Sequence, residues 1–140
     1  LFYQSRLSNT CNAATGLTTN QTIDLGNPNY AWQDRGLILR SEPFYQSLNI
    51  YCGNEDATFS AIDAHFTQDR GGNPWLVFGS TIGGIKIVAL DPQTLKLAAE
   101  HEFTTLAQRW LLRKNPIIEA PTLSSGTVIT TYFYPLITAV

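Results

Sequence analysis

Charged side chains are scarce in this chain of 140 residues, and methionine is absent. Only 14% of the residues are charged, against 44% that are apolar, and 9 Lys and Arg face 11 Asp and Glu. This balance excludes a disordered chain and leaves no basic footprint for nucleic acid. No apolar run approaches the roughly 18 residues that a membrane-spanning helix needs. We therefore expect a soluble β-protein without a nucleic-acid or membrane partner.

Cysteine and histidine are also rare, with two residues of each. Cys11 and Cys52 can pair in a secreted protein or remain free thiols, and no spacing motif decides between the two. His65 and His101 are too isolated to suggest a metal site, so packing or surface roles are favoured. The sequence itself thus predicts no cofactor. Because the chain lacks methionine and opens on the apolar run LFYQS, we interpret it as a fragment of a longer protein.

Residues 60–101 contain four short apolar runs separated by the turn-forming stretches QDRGGN, TIGG and DPQT. Runs this short, bounded by Gly and Pro, are typical of strands. Four strands in about 40 residues match one blade of a β-propeller. The predicted strands, from innermost to outermost, are residues 61–66, 74–80, 85–90 and 95–101.

The flanking sequence predicts parts of neighbouring blades. Three further strands are expected at residues 1–6, 13–19 and 32–40, with a loop at 24–30 and a long polar loop at 41–58. Residues 102–114 have mixed periodicity, which suits a short helix or a loop, and residues 126–140 are rich in strand-forming side chains. The predicted fold class is all-β, as a fragment of about two to three blades.

Two carboxylates lie alone in apolar runs, Asp63 in A-I-D-A and Glu119 in I-I-E-A-P. Each run would open a blade and line the central channel, where side chains from different blades converge. A carboxyl group in apolar surroundings suits a general acid, and a pair of carboxyl groups can cleave a glycosidic bond. The ordinary alternative is a carboxylate that accepts bonds from backbone amides at a strand end. Composition alone favours that alternative.

Four motifs change this balance: W-x-D-R-G-L-I-L-R-S at 32–41, S-A-I-D-A at 60–64, W-L-V-F-G-S-x-x-G-G-I-K at 75–86 and I-E-A-P at 118–121. In this order they resemble glycoside hydrolase family 43, and within it the arabinan endo-1,5-α-L-arabinosidases, or endo-arabinanases. Residues 127–140, in contrast, depart from the family's pattern. The resemblance implies that residues 1–140 are part of a five-bladed β-propeller catalytic domain, truncated at both ends.

The resemblance also implies an inverting mechanism with three carboxylates. Glu119 matches the general acid, and Asp63 matches the residue that raises the pKa of the acid and orients it. The base belongs to a blade before Leu1, so this segment alone is expected to be inactive. Acid and base in inverting enzymes lie about 6.5–9.5 Å apart, and we expect Asp63 and Glu119 on adjacent blades within that range.

Further expectations concern ligands. The resemblance implies that the turn after residue 80 lies at the mouth of the channel, which makes Ser80, Gly79 and Ile62 candidates for sugar contact. Glycines at such turns usually serve the backbone. The family implies a calcium or similar ion near a histidine of the last blade, outside this segment. It also implies a monomeric, secreted enzyme that acts on arabinan or a related polysaccharide of pentoses.

Other functions remain open at this point. β-Xylosidases and α-L-arabinofuranosidases share the propeller, and a degenerate propeller that binds sugar without cleaving it would carry the same motifs. A-L-D-P-Q-T-L-K-L at residues 89–97 resembles a phrase of quinone-type repeat propellers, but it does not recur along the chain. Full-length sequence that shows an aspartate of the channel before Leu1 would separate an enzyme from a binding protein.

Overall fold

The structure is a computed structural model that describes residues 1–6, 13–41, 59–80, 83–108, 121–124 and 127–129. Every regular element in these ranges is a strand, and the strands form sheets of three, four and two members. No helix in this part of the chain is long and apolar enough to cross a bilayer. The strands are β1 (Phe2–Arg6), β2 (Ala13–Thr19), β3 (Gln33–Arg40), β4 (His65–Gln68), β5 (Pro74–Ser80), β6 (Gly84–Ala89), β7 (Thr104–Ala107), β8 (Thr122–Ser124) and β9 (Thr127–Ile129).

The first sheet has the order β1-β2-β3, and both pairs of strands are antiparallel. Polar side chains stabilise the loop between β2 and β3. Asp24 Oδ1 accepts a hydrogen bond from the Gly26 amide at 2.9 Å, and Asn27 Oδ1 accepts one from the Asn29 amide at 2.9 Å. Such side-chain bonds to the backbone two residues ahead favour turns over strands. The three strands and the loop predicted from the sequence are confirmed here, with small shifts of their ends.

The second sheet has the order β4-β5-β6-β7 and is antiparallel throughout, which confirms the predicted four-stranded blade. Between β4 and β5, Asp69 Oδ1 accepts the amides of Gly71 at 2.8 Å and Asn73 at 2.9 Å. The central strand β5 is almost fully buried, as its continuous apolar sequence predicts.

The predicted fourth strand at residues 95–101 is wrong, since β7 spans Thr104–Ala107. Asp91 Oδ1 accepts bonds from the Gln93 amide at 3.1 Å and the Thr94 amide at 2.8 Å, which prolongs the turn. Leu95 then adopts a φ of 56°, a left-handed conformation that interrupts an extended chain. Leu97 forms only an isolated bridge with Leu90. The helix or loop predicted for residues 102–114 is wrong for residues 104–107, which form β7. Residues 109–114 lie outside the described ranges.

The core lies between the two larger sheets. Nine buried residues form it: Leu17, Ile38, Leu39, Phe59, Ala61, Leu76, Phe78, Val88 and Leu90. Phe103 packs against this core, and the rings of Phe59, Phe78 and Phe103 have centroids 4.7–5.8 Å apart. Burying one such side chain contributes about 1.5–3 kcal/mol. This shared core holds the first sheet against residues 59–61, which lead toward β4.

Several predictions fall outside the described ranges. These concern Cys11, Cys52, Glu119, the loop at residues 42–58 and the tail after residue 129. Within the described part of the tail, β9 confirms the start of the predicted strand.

Candidate active site

Asp63 lies in a bend two residues before β4, partly exposed to solvent. The prediction of a strand over residues 61–66 is therefore wrong for residues 61–64 and confirmed only for residues 65 and 66. Asp63 has a φ of 54°, in the left-handed region that Asp enters more readily than most residues. This conformation turns the chain from the buried residues 59–61 into β4. The carboxylate therefore belongs to a bend just before the first strand of the blade, and not to the strand itself.

The backbone on either side of this bend is held by hydrogen bonds. The Gly79 amide of β5 donates to the Ile62 carbonyl at 2.9 Å. The Asp63 amide donates to Gln4 Oε1 of β1 at 3.3 Å. The bend therefore has contacts from both sheets, although Gln4 is 59 residues away in sequence. Gln4 was not identified from the sequence, because nothing in its local pattern marks such a distant partner.

Ala61 precedes the bend, and its backbone amide and carbonyl both bond to side-chain hydroxyl groups. One hydroxyl belongs to Thr15 on β2 and the other to Ser41, directly after β3. The Ala61 amide donates to Ser41 Oγ at 3.0 Å, and Thr15 Oγ1 donates to the Ala61 carbonyl at 3.0 Å. Ser41 and Thr15 are both buried. Neither residue was identified from the sequence. No local pattern in the sequence marks either residue as a partner of Ala61, which lies 46 and 20 positions away.

Gly79, predicted to contact sugar, is buried and has a φ of 114°. A Cβ atom placed on it would lie 2.3 Å from the Gly84 carbonyl oxygen, which is far inside van der Waals contact. The structure therefore gives this glycine a backbone role, and its amide is already bonded to Ile62. Ile62 itself is partly exposed.

Ser80 ends β5, pairs with Gly84 and is 4% exposed. Its buried side chain offers a ligand little accessible surface in this conformation. Contact with sugar by Ser80, Gly79 and Ile62 stays a prediction.

Glu119 lies outside the described residues, so the proposed approach of Asp63 and Glu119 also stays a prediction. Within the described ranges, no group of three His, Cys, Asp or Glu side chains could hold a metal ion. The ion that the family implies is expected near a histidine outside this segment, so this finding leaves that expectation untested. His101, for which a packing or surface role was predicted, has its ring 5.3 Å from that of Phe103.

Comparison with known proteins gives a consistent group of relatives, although no protein-family model matches the chain. An extracellular endo-α-(1→5)-L-arabinanase of Bacillus subtilis is 35% identical over 124 residues, which cover 89% of this chain and 32% of the relative. An extracellular exo-α-(1→5)-L-arabinofuranosidase of Cellvibrio japonicus is 28% identical over 108 residues, covering 77% and 28%. This chain thus spans about a third of the length of either relative.

The fold agrees with these relatives. The solved structure of a GH43 endo-arabinanase from Bacillus licheniformis superposes with a TM-score of 0.65 and 30% identity, over 90% of this chain and 37% of that structure. The predicted class, an all-β part of a five-bladed propeller, is confirmed by this match together with the blade-like sheets. Along most of its length the chain is homologous to the arabinanases of glycoside hydrolase family 43, as its four motifs predicted.

Proposed function

We propose that this chain is part of a secreted glycoside hydrolase that cleaves α-1,5-linked L-arabinan with inversion at the anomeric carbon. The observation that carries the proposal is the 35% identity to an extracellular endo-arabinanase across 89% of the chain. Both relatives described above are extracellular enzymes named for α-(1→5)-linked L-arabinose polymers. A length of about a third of these relatives supports a partial catalytic domain.

The proposed chemistry divides among three carboxylates. Glu119 protonates the leaving oxygen of the glycosidic bond, and a base from outside this segment activates water on the opposite face of the sugar. Asp63 orients Glu119 and keeps it protonated until the bond breaks, because a neighbouring negative charge disfavours ionisation of an acid. The bend around Asp63 supports this role. Its backbone is hydrogen-bonded to residues of both sheets, while the Asp63 residue remains partly exposed.

A second candidate is exo action on the same polymer, as an α-L-arabinofuranosidase. The Cellvibrio japonicus relative favours it, because that enzyme is named for exo cleavage of the same linkage. The two candidates share the acid and the orienting carboxylate and differ in the product. Endo cleavage shortens the polymer quickly, whereas exo cleavage releases arabinose from chain ends.

The test uses the full-length protein that contains this segment, assayed for reducing sugar released from linear arabinan. Glu119→Gln and Asp63→Asn are each expected to lower kcat by about 10²–10⁴, the usual contribution of acid or base catalysis. Asp24→Asn is the matched control for Asp63, because Asp24 is exposed in the loop between β2 and β3. Chromatography of the products separates endo from exo cleavage.

Two results would contradict the proposal. Full activity of both variants would remove the assigned roles of the two carboxylates. Binding of arabinan without release of sugar by the wild-type protein would instead favour a degenerate binding propeller.

The segment of 140 residues expressed alone should release no sugar from arabinan, because the proposed base is not part of it. Activity of this segment equal to that of the full-length protein would refute the assignment of the base. Size-exclusion chromatography of the full-length protein tests the proposed monomeric state.

A further inference from the structure

The backbone of Ala61 is satisfied in an unusual way. Ala61 is 0% exposed and belongs to no strand, so its amide and carbonyl lack the partners that a sheet supplies. Both groups are instead bonded to side-chain hydroxyls, the amide to Ser41 and the carbonyl to Thr15. These residues are 20 and 46 positions away and belong to the neighbouring sheet and its end. The path of residues 59–63 is therefore set partly by another blade.

Ser41 uses its full bonding capacity at this point. Its Oγ accepts bonds from the Ala61 amide at 3.0 Å and the Ala13 amide at 3.2 Å, and its hydroxyl donates to the Ala13 carbonyl at 3.2 Å. A hydroxyl group has one donor and two acceptor lone pairs, so all three are in use. Loss of this oxygen would leave two buried amides without a partner, and such groups are rare in folded proteins.

Only one residue, Ile62, separates the restrained Ala61 from Asp63. Ile62 is fixed by the Gly79 amide, and the Asp63 amide bonds to Gln4. The hydrogen bonds described for the backbone of residues 61–63 thus connect this stretch to β1, β2, β5 and the end of β3. A catalytic constellation must be held within about 0.5 Å of its productive geometry, and groups that lock its backbone provide this precision.

We propose that Ser41 and Thr15 are positioning residues, which fix the carboxylate of Asp63 by bonding to the backbone of Ala61. This inference rests on the proposed function, because it assumes that Asp63 takes part in catalysis. Neither hydroxyl contacts the reacting atoms in this scheme. They act on the rate through the direction in which the bend presents Asp63. The alternative is that both hydroxyls only satisfy buried backbone groups and stabilise the fold.

The test compares kcat, KM and melting temperature of full-length variants on linear arabinan. Thr15→Val replaces the hydroxyl with a methyl of similar volume, and Thr15→Ser keeps the hydroxyl. Ser41→Ala removes the three-bonded oxygen. Ile38→Val is the control, because Ile38 is buried on β3 three residues before Ser41 and its side chain has no hydrogen-bonding group.

We expect Thr15→Val and Ser41→Ala to lower kcat by about 10–100-fold with little change in KM, as a small misplacement of a catalytic group does. Thr15→Ser should recover most of that loss. Ile38→Val should lower the melting temperature while kcat stays at the wild-type value. If Ser41→Ala does not fold, the pair Thr15→Val and Thr15→Ser decides the question, since it changes one hydroxyl at nearly constant volume.

Two outcomes overturn the inference, and they are distinguishable. In the first outcome, Thr15→Val and Ser41→Ala keep the wild-type kcat and lose only melting temperature, while Asp63→Asn is still impaired. The hydroxyls would then have a purely structural role. Wild-type kcat in Asp63→Asn would instead remove the proposed role of Asp63 and with it the basis for positioning.

Discussion

Replacing Gly79 with alanine should destabilise the protein severely, for two reasons that the structure separates. The first is conformational, because a φ of 114° is one that residues with a Cβ atom rarely adopt, at a cost of about 1–3 kcal/mol. The second is steric, because the new Cβ would lie 2.3 Å from the Gly84 carbonyl oxygen. Relief of that overlap requires β5 and β6 to separate where Gly79 pairs with Ile85. Losing one or two ladder bonds there adds about 0.5–1.5 kcal/mol each.

The expected total for Gly79→Ala is therefore about 1.5–6 kcal/mol. Gly36→Ala is the matched control, because Gly36 also has a positive φ of 79° but a Cβ atom added there would meet no atom within 4 Å. Only the conformational cost, about 1–2 kcal/mol, should remain there. Urea unfolding of the full-length variants measures both values. A cost for Gly79→Ala no larger than that for Gly36→Ala would refute the steric argument.

Two further changes test the core and the turn before β5. Phe78→Ala should lower the free energy of unfolding by about 3–5 kcal/mol, since Phe78 is fully buried, whereas Phe66→Ala at a 37% exposed position should cost less in the same urea titration. Hydrogen bonds from Asn73 and Trp75 hold the pKa of Asp69 below its ordinary value, so its stabilising contribution is present above about pH 4 and is lost as the pH falls through the lower folded value. The difference in urea midpoint between wild type and Asp69→Asn should accordingly shrink from about pH 5 to about pH 3, and a constant difference would contradict this account.

The strands β5 and β6 could be predicted from sequence because their signals are local. An apolar run bounded by Gly and Pro, followed by a Gly-rich turn and a second run, leaves few alternatives to a buried hairpin. The fourth strand was misplaced because Leu95, Lys96 and Leu97 alternate in polarity as residues of a strand do. Their conformation is decided by the bonds of Asp91 to the turn and by the positive φ of Leu95. Neither property is visible in a pattern of hydrophobicity.

The position of Asp63 was predictable only in part. Its isolation in an apolar stretch and the surrounding motif marked it as a candidate, but the bend that carries it depends on partners in other strands. Gln4 and Thr15 bond to this stretch from 59 and 46 residues away. Contacts of that kind arise from the packing of one sheet on another, so a single sequence without aligned relatives does not reveal them.

The hydroxyl bonds to Ala61 also bear on how blades can be exchanged between related enzymes. Apolar contacts between two sheets are non-directional and tolerate several offsets of one sheet along the other. The bonds of Ser41 and Thr15 to the backbone of one residue require donor and acceptor to meet at about 3.0 Å, which admits a single offset. A chimaera that joins the first sheet of one enzyme to the second sheet of another should therefore keep positions 15, 41 and 61 from the same parent. Hydrophobic similarity alone would let the sheets pack without fixing their alignment.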